Sequence, residues 1–418
     1  MPPISIHNAT ELRAIGHNLS HTGDYQLAND IFIDGSWTPI AHGDGILLDG
    51  DGHRIGPLNL PLFENLNNST IFELSLEFDI KDGADITGGL TRSAAHTSFS
   101  DINTYGTIRG AGTTGALAGK LTDSAAERCQ QFAALNGCAG TGGFAGAAAR
   151  TQFIDCRNLG SIRACSGAAG GISGSIFESG LCQSCANEGV ILTQGARAGG
   201  ISGQIISQGT NGSNGDITIT SCLNQGEVTA GSDAGGIAGV AIGEGIHVES
   251  CTNLASITSQ STHAGGVCGR VDEGATILGC RACVKVAAEI AGAGGIVGGA
   301  EGPATIQDSS VDGAFVRAQR GTHRILGIAP PNRENIVLSN NRAAQRVHIS
   351  PAFDNPGELV SDNNDEARTD GLDGVTFTCA EGLIPADCFE CIKPESEGAL
   401  SDGDWDKALK EMLEGLSR

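Results

Sequence analysis

A five-residue mark, Gly-Gly-apolar-small-Gly, returns along this chain at nearly constant spacing, and that return restricts the fold more than any other feature. It reads Gly170-Gly171-Ile172-Ser173-Gly174, then Gly199-Gly200-Ile201-Ser202-Gly203 and Gly235-Gly236-Ile237-Ala238-Gly239. It continues at Gly265-Gly266-Val267-Cys268-Gly269 and Gly294-Gly295-Ile296-Val297-Gly298, with weaker copies at Gly88-Gly89-Leu90, Thr114-Gly115-Ala116-Leu117 and Gly142-Gly143-Phe144. The first residues of the marks stand 26, 28, 28, 29, 36, 30 and 29 apart. The long step holds Gly209-Thr210-Asn211-Gly212-Ser213-Asn214-Gly215, which reads as an inserted flexible loop.

A second mark keeps the same step. Cys156-Arg157-Asn158 is followed by Cys185-Ala186-Asn187, Cys222-Leu223-Asn224 and Cys251-Thr252-Asn253, and Cys280 carries the register onward. Between marks lie runs such as Asp216-Ile217-Thr218-Ile219-Thr220, whose period-2 alternation suits half-buried strands. No helical stripe of adequate length occurs inside the repeat. A unit of about 29 residues cannot bury its apolar side alone, but stacked copies can. The expected fold is therefore all-β: a parallel β-solenoid with one repeat per coil. Propeller blades need about 40 residues, and collagen needs a strict Gly triplet; neither fits. Gly is expected at tight corners, where it accepts positive φ. Asn103, Asn158, Asn187, Asn224 and Asn253 are expected to stack at one corner as a side-chain amide ladder.

At this point the residues resemble the GLUG-motif proteins, a bacterial group. The unit Cys222-Leu223-Asn224-Gln225-Gly226-Glu227-Val228 followed by Ala234-Gly235-Gly236-Ile237-Ala238-Gly239 looks like the family repeat. The lead-in, from Thr10-Glu11-Leu12-Arg13-Ala14-Ile15-Gly16 through Trp37-Thr38-Pro39-Ile40 to Leu48-Asp49-Gly50-Asp51-Gly52 and Leu62-Phe63-Glu64-Asn65-Leu66, is similar to the segment that often precedes it. The resemblance covers about residues 4–330. It implies a right-handed parallel β-helix and a spacer or display role of the kind found in adhesins. It implies no catalytic residues.

Four regions are expected: an N-terminal cap and lead-in over 1–60, β-helix repeats over 61–350, an acidic Gly/Pro-rich segment over 351–400, and an amphipathic helix over 401–418. A short capping helix is expected near Leu12, Ile15 and Leu19 after Asn8 or Thr10. Residues 335–338 and 346–349 read as two final strands. The last helix carries a stripe of Trp405, Leu409, Met412, Leu413 and Leu416. That stripe either caps the C-terminal coil or docks a partner. Between residues 351 and 418, 17 Asp and Glu oppose 5 Lys and Arg.

Register places Cys129, Cys156, Cys185, Cys222, Cys251 and Cys280 at one corner of successive coils. Three readings stay open: a buried file of small soft residues, disulfides between rungs, and metal binding. Cys138 and Cys165 fall 27 apart and are also expected to be neighbours. The pairs Cys182/Cys185 and Cys280/Cys283 have C-x-x-C spacing, which the repeat itself largely accounts for. Outside the repeat, Cys379, Cys388 and Cys391 supply three thiols for zinc, a local disulfide or no bond at all.

The formal net charge of −23 argues against nucleic acid or anionic membrane as a partner. No apolar run is long enough for a membrane span. The N-terminus does not read as a secretory signal, so the expectation is a cytoplasmic chain or one exported without a cleaved leader. Asp155, Glu249 and Asp308 align loosely before the corner and read as a solvated face. His7, His17, His21, His42 and His53 share no metal spacing, and Asp49-Gly50-Asp51-Gly52 lacks the rest of a calcium loop. No cofactor is expected. The leading functional expectation is a non-enzymatic binding and display β-helix that recognises a protein or glycan surface. The alternatives are a carbohydrate-active enzyme, a polysaccharide lyase or glycoside hydrolase, on the same fold, and a secreted effector or phage/injection-apparatus component.

Overall fold

The structure is a computed structural model. It describes residues 2–15, 23–207, 215–283, 285–312, 315–329, 335–344, 347–351 and 375–377. The chain divides into two units, Met1–Cys379 and Ala380–Arg418, and everything described belongs to the first. The inserted loop at 208–214, the thiols Cys379, Cys388 and Cys391, and the stripe from Trp405 to Leu416 lie outside the described residues.

Each repeat makes one circuit of a parallel β-solenoid. Short strands stack on their counterparts one circuit away, and every pairing among the described strands is parallel. One wall is a separate sheet of nine strands built from the Gly-Gly marks, with Gly142, Gly170, Gly199, Gly235, Gly265 and Gly294 in register. The other walls join into one continuous sheet. Alternate residues of each strand point inward, so Ile217 and Ile219 stack beneath Ile246 and Val248 in the interior, while Thr218 and Thr220 face out. Burying each such Ile or Val stabilises the fold by about 1.5–3 kcal/mol.

The lead-in is also coiled. Ile4, Tyr25, Leu48, Ile71 and Phe99 lie in one file, at steps of 21, 23, 23 and 28 residues. The stack thus runs through residue 60 without a break. Its first circuits are simply shorter than the repeats. A helix, Ala9–Ala14, covers the N-terminal end. Asn8 caps it by accepting from the backbone N–H groups of Thr10 and Glu11, while Glu11 accepts from His7 N–H. Leu12 and Ile15 are buried beneath it, and the Arg13 guanidinium lies 5.1 Å from the ring centre of the buried Trp37. At the other end, the strands Ile336–Ser339, Arg342–Ala344 and His348–Pro351 continue the coil, and Val375–Phe377 pairs onto Arg342–Ala344.

Two sequence registers shift by one residue. Gly88 pairs with Gly115, not Thr114, so the first two steps are both 27. Likewise Asn103 pairs with Gln130, and the position in file with Asn158 belongs to Thr104 through Gln131. Asn103 is half-exposed on the outer face, because a one-residue slip in a strand reverses the side chain.

The corners also differ from expectation. The paired glycines do not have positive φ. They are glycine because the chain has no room for a side chain: a Cβ on Gly171 would overlap the carbonyl of Gly200 and come within 2.6 Å of Asn187 Oδ1. The left-handed corners fall one residue before the cysteine file, at Arg128, Asp155, Ser184, Ser221, Ser250, Gly279 and Asp308. The side chains of the non-glycine members stay in solvent, and Asp and Ser accept this backbone more readily than bulky or β-branched residues do. Asp155 and Asp308 share this file, while Glu249 sits one position before it.

Candidate functional site

The repeated polar residues turn inward and hold the coil together. Asn158 Nδ2 donates to Asn187 Oδ1 at 2.6 Å, Asn187 to Asn224 at 2.7 Å and Asn224 to Asn253 at 2.7 Å. The second N–H of each amide reaches a carbonyl two residues on, at Gly160, Gly189, Gly226 and Ala255. The four amides are fully buried. They form a continuous hydrogen-bonded rail along the axis, which is how a polar group survives inside an apolar core.

Beside this rail runs the file of Cys129, Cys156, Cys185, Cys222, Cys251 and Cys280, all buried thiols. Each Sγ lies near two carbonyls, one two residues before it and one in the preceding coil; for Cys156 these are Ile154 at 3.5 Å and Ala126 at 3.4 Å. Ser309 and Asn341 take the same position in later coils. Burial pushes the thiols of Cys129, Cys156, Cys182 and Cys185 well above the ordinary range, and that of Cys268 up to about 12. A thiol held protonated is a poor nucleophile and a poor ligand. Among the described residues no group of three or more His, Cys, Asp or Glu is placed to hold a metal ion. One pair is oxidised: Cys138 and Cys165 form a disulfide between adjacent coils on the solvent side, with Cα atoms 4.5 Å apart. With Cys379, Cys388 and Cys391 replaced by serine, we expect no fast-reacting thiol in the folded protein and nine in denaturant, read by a chromogenic disulfide. Rapid labelling of two or more thiols without denaturant would contradict this burial.

Several carboxylates are engaged by arginines of a neighbouring coil. Arg128 meets Asp101, Arg150 meets Asp123 and Glu178, Arg157 meets Glu188, and Arg281 meets Asp312. The exposed pairs among these each contribute little to stability, while the Asp312 carboxylate is buried. Of the five N-terminal histidines, the three described are not brought together: His7 pairs with Glu11, His53 with Asp30, and His42 is exposed; His17 and His21 lie outside the described residues.

One outward row breaks from the polar surface. It sits immediately after the amide rail in each coil and runs from Phe32 and Gly56 through Glu77, Tyr105 and Phe132 to Leu159 and Glu188. Phe32 is 72% exposed and Phe132 37%. Tyr105 and Phe132 stack with centroids 4.9 Å apart and planes 5° off parallel. The Arg54 guanidinium covers the other face of Tyr105 at 5.2 Å and pairs with Glu77 at 3.3 Å. This row carries no periodic signal in the sequence, since its members differ from coil to coil. Only the placement of an aromatic directly after the rail position could have marked it.

No protein-family model matches the chain, and no curated protein matches it. Among solved structures it is similar to an IgA1 protease, at 19% identity and a TM-score of 0.47, over 62% of this chain. The chain spans 23% of that protein's length. A candidate immunoglobulin A1 protease from Bacteroides ovatus matches at 16% identity and a TM-score of 0.30, over 90% of this chain and 84% of that one.

Proposed function

We propose that the chain is a rigid binding and display rod that recognises a protein surface through its aromatic edge. The observation that carries this reading is the outward row that holds the exposed Phe32 and Phe132 and the half-buried Tyr105, with Tyr105 stacked on Phe132 and covered by Arg54. Aromatic and arginine side chains are the residues that anchor protein interfaces. A glycan would stack on ring faces, yet both faces of Tyr105 and one of Phe132 are already covered. Protein is therefore the favoured partner. The adhesin-like display role implied by the GLUG resemblance is compatible with this reading, since a solenoid offers long surfaces without needing a cleft.

The test is a binding screen of the intact chain on arrayed proteins and arrayed glycans, followed by the variant Tyr105→Ala/Phe132→Asp. Binding to protein that falls at least tenfold in the variant, with the melting temperature nearly unchanged, supports the proposal. Binding confined to glycans would replace the partner class. Undiminished binding by the variant would remove the edge from consideration.

A further inference from the structure

Where two walls meet, beside the Gly-Gly sheet, the repeat positions are mostly small. Three consecutive coils depart from this with Arg197, Asp233 and His263 in one row, joined from the facing strand by Gln204 and Arg270. A fold that required only stability would not bury a carboxylate there, because an apolar or small residue costs less. Yet Asp233 is 95% buried, and its side chain is committed on both oxygens. Oδ1 accepts from His263 Nδ1 at 2.8 Å, and Oδ2 lies 3.7 Å from Arg270 Nε. Arg270 is itself held by Glu301 and Asp272.

The imidazole is placed as tightly as the carboxylate. It packs on the backbone of the next coil, where Gly292 and Gly299 leave room for it. A Cβ on Gly299 would overlap the ring, and one on Gly292 would lie 2.8 Å from Cδ2. In the neutral tautomer that gives Nδ1–H to Asp233, Nε2 carries the lone pair. Nε2 has no hydrogen-bond partner among the described residues, and the side chain is 14% exposed. Two coils below, the buried Nε–H of Arg197 also lacks an acceptor. The seam therefore holds an oriented imidazole and, two coils away, a buried donor that the coil leaves unpaired.

We propose that the Asp233–His263 pair is a hydrolytic site for small carboxylic esters. His263 Nε2 takes a proton from a water molecule as the water oxygen bonds to the ester carbonyl carbon. Asp233 stabilises the imidazolium that forms. The bond from that carbon to the alcohol oxygen then breaks, and His263 returns the proton to the departing alkoxide. One ester and one water give one acid and one alcohol, with no change of oxidation state. This activity is independent of the aromatic edge.

The probe is p-nitrophenyl acetate, followed by nitrophenolate release from the full chain. We expect His263→Gln to lower the second-order rate at least fivefold and Asp233→Asn to lower it comparably. His247→Ala, which removes an exposed histidine outside the seam, is expected to leave the rate unchanged. Gly299→Ala keeps every reacting group but displaces the ring, so it should also lower the rate, with circular dichroism confirming that the coil is intact. A His263→Gln rate within twofold of the parent would overturn the proposal. So would equal losses in the His263 and His247 variants, or a folded Gly299→Ala protein with an unchanged rate.

Discussion

Replacing Asn187 with leucine, which is close to it in volume, is expected to destabilise the protein by about 3–5 kcal/mol. Asn187 accepts from Asn158 and donates to Asn224 and to the Gly189 carbonyl. The leucine leaves Asn224 Oδ1 and the Gly189 carbonyl without a donor and removes one acceptor from Asn158, all in a fully buried rail. Each orphaned buried group costs about 1–3 kcal/mol. There is also no space for relaxation, since a Cβ on Gly171 would already come within 2.6 Å of this amide. Because each coil touches only its neighbours, the damage should be local at first. Urea titration would read the loss, and hydrogen exchange would show it centred on the coils that hold residues 158, 187 and 224. A loss below about 1 kcal/mol would mean that the amides are not bonded along the axis.

The second large effect is expected in alkali. Burial raises the thiols of Cys129, Cys156, Cys182, Cys185 and Cys268 above the ordinary value of 9.0. The folded-state pKa of each is higher than the unfolded one. Their contribution is therefore intact below pH 9 and is lost as the pH climbs above it, because the unfolded chain releases protons that the folded chain retains. Each such thiol weakens the fold by roughly 1 kcal/mol per pH unit in that range, and several act together. The melting temperature should hold up to about pH 9 and then fall steeply. Cys156→Ser/Cys185→Ser should flatten the fall by two thiols' share. Serine suits the position, since Ser309 already occupies it in a later coil. An unchanged alkaline slope in that variant would show that these thiols are not the source.

The circuit was legible in the sequence because the interior demands the same residue at the same place in every coil. The cysteine and asparagine files and the Gly-Gly wall all follow from that demand. The errors arose where one residue of slip was invisible. Thr114 and Gly115 both fit a degenerate mark, and Asn103 resembled its neighbours in type but not in facing. The crowding that requires the paired glycines is not legible in sequence, because it depends on contacts with the adjacent coil, as between Gly171 and Gly200, whereas a turn is local. The left-handed corners were hidden because Asp, Ser and Arg serve them interchangeably while pointing into water. The circuits of the lead-in are shorter than the repeats and carry no Gly-Gly mark, so they are not legible as coils from the repeat alone. The aromatic edge and the Asp233–His263 seam were unreadable for the opposite reason: they are the positions that do not repeat, and only stacking brings Tyr105 to Phe132 or Asp233 to His263.

The step from Cys182 to Ile219 is 37 residues, where the next two are 29, yet Asn187 still meets Asn224 squarely. The stretch between Ile206 and Ile217 therefore absorbs extra chain without disturbing any rung on either side. That makes it a natural splice point: with foreign peptide grafted there, the spool would wind as before.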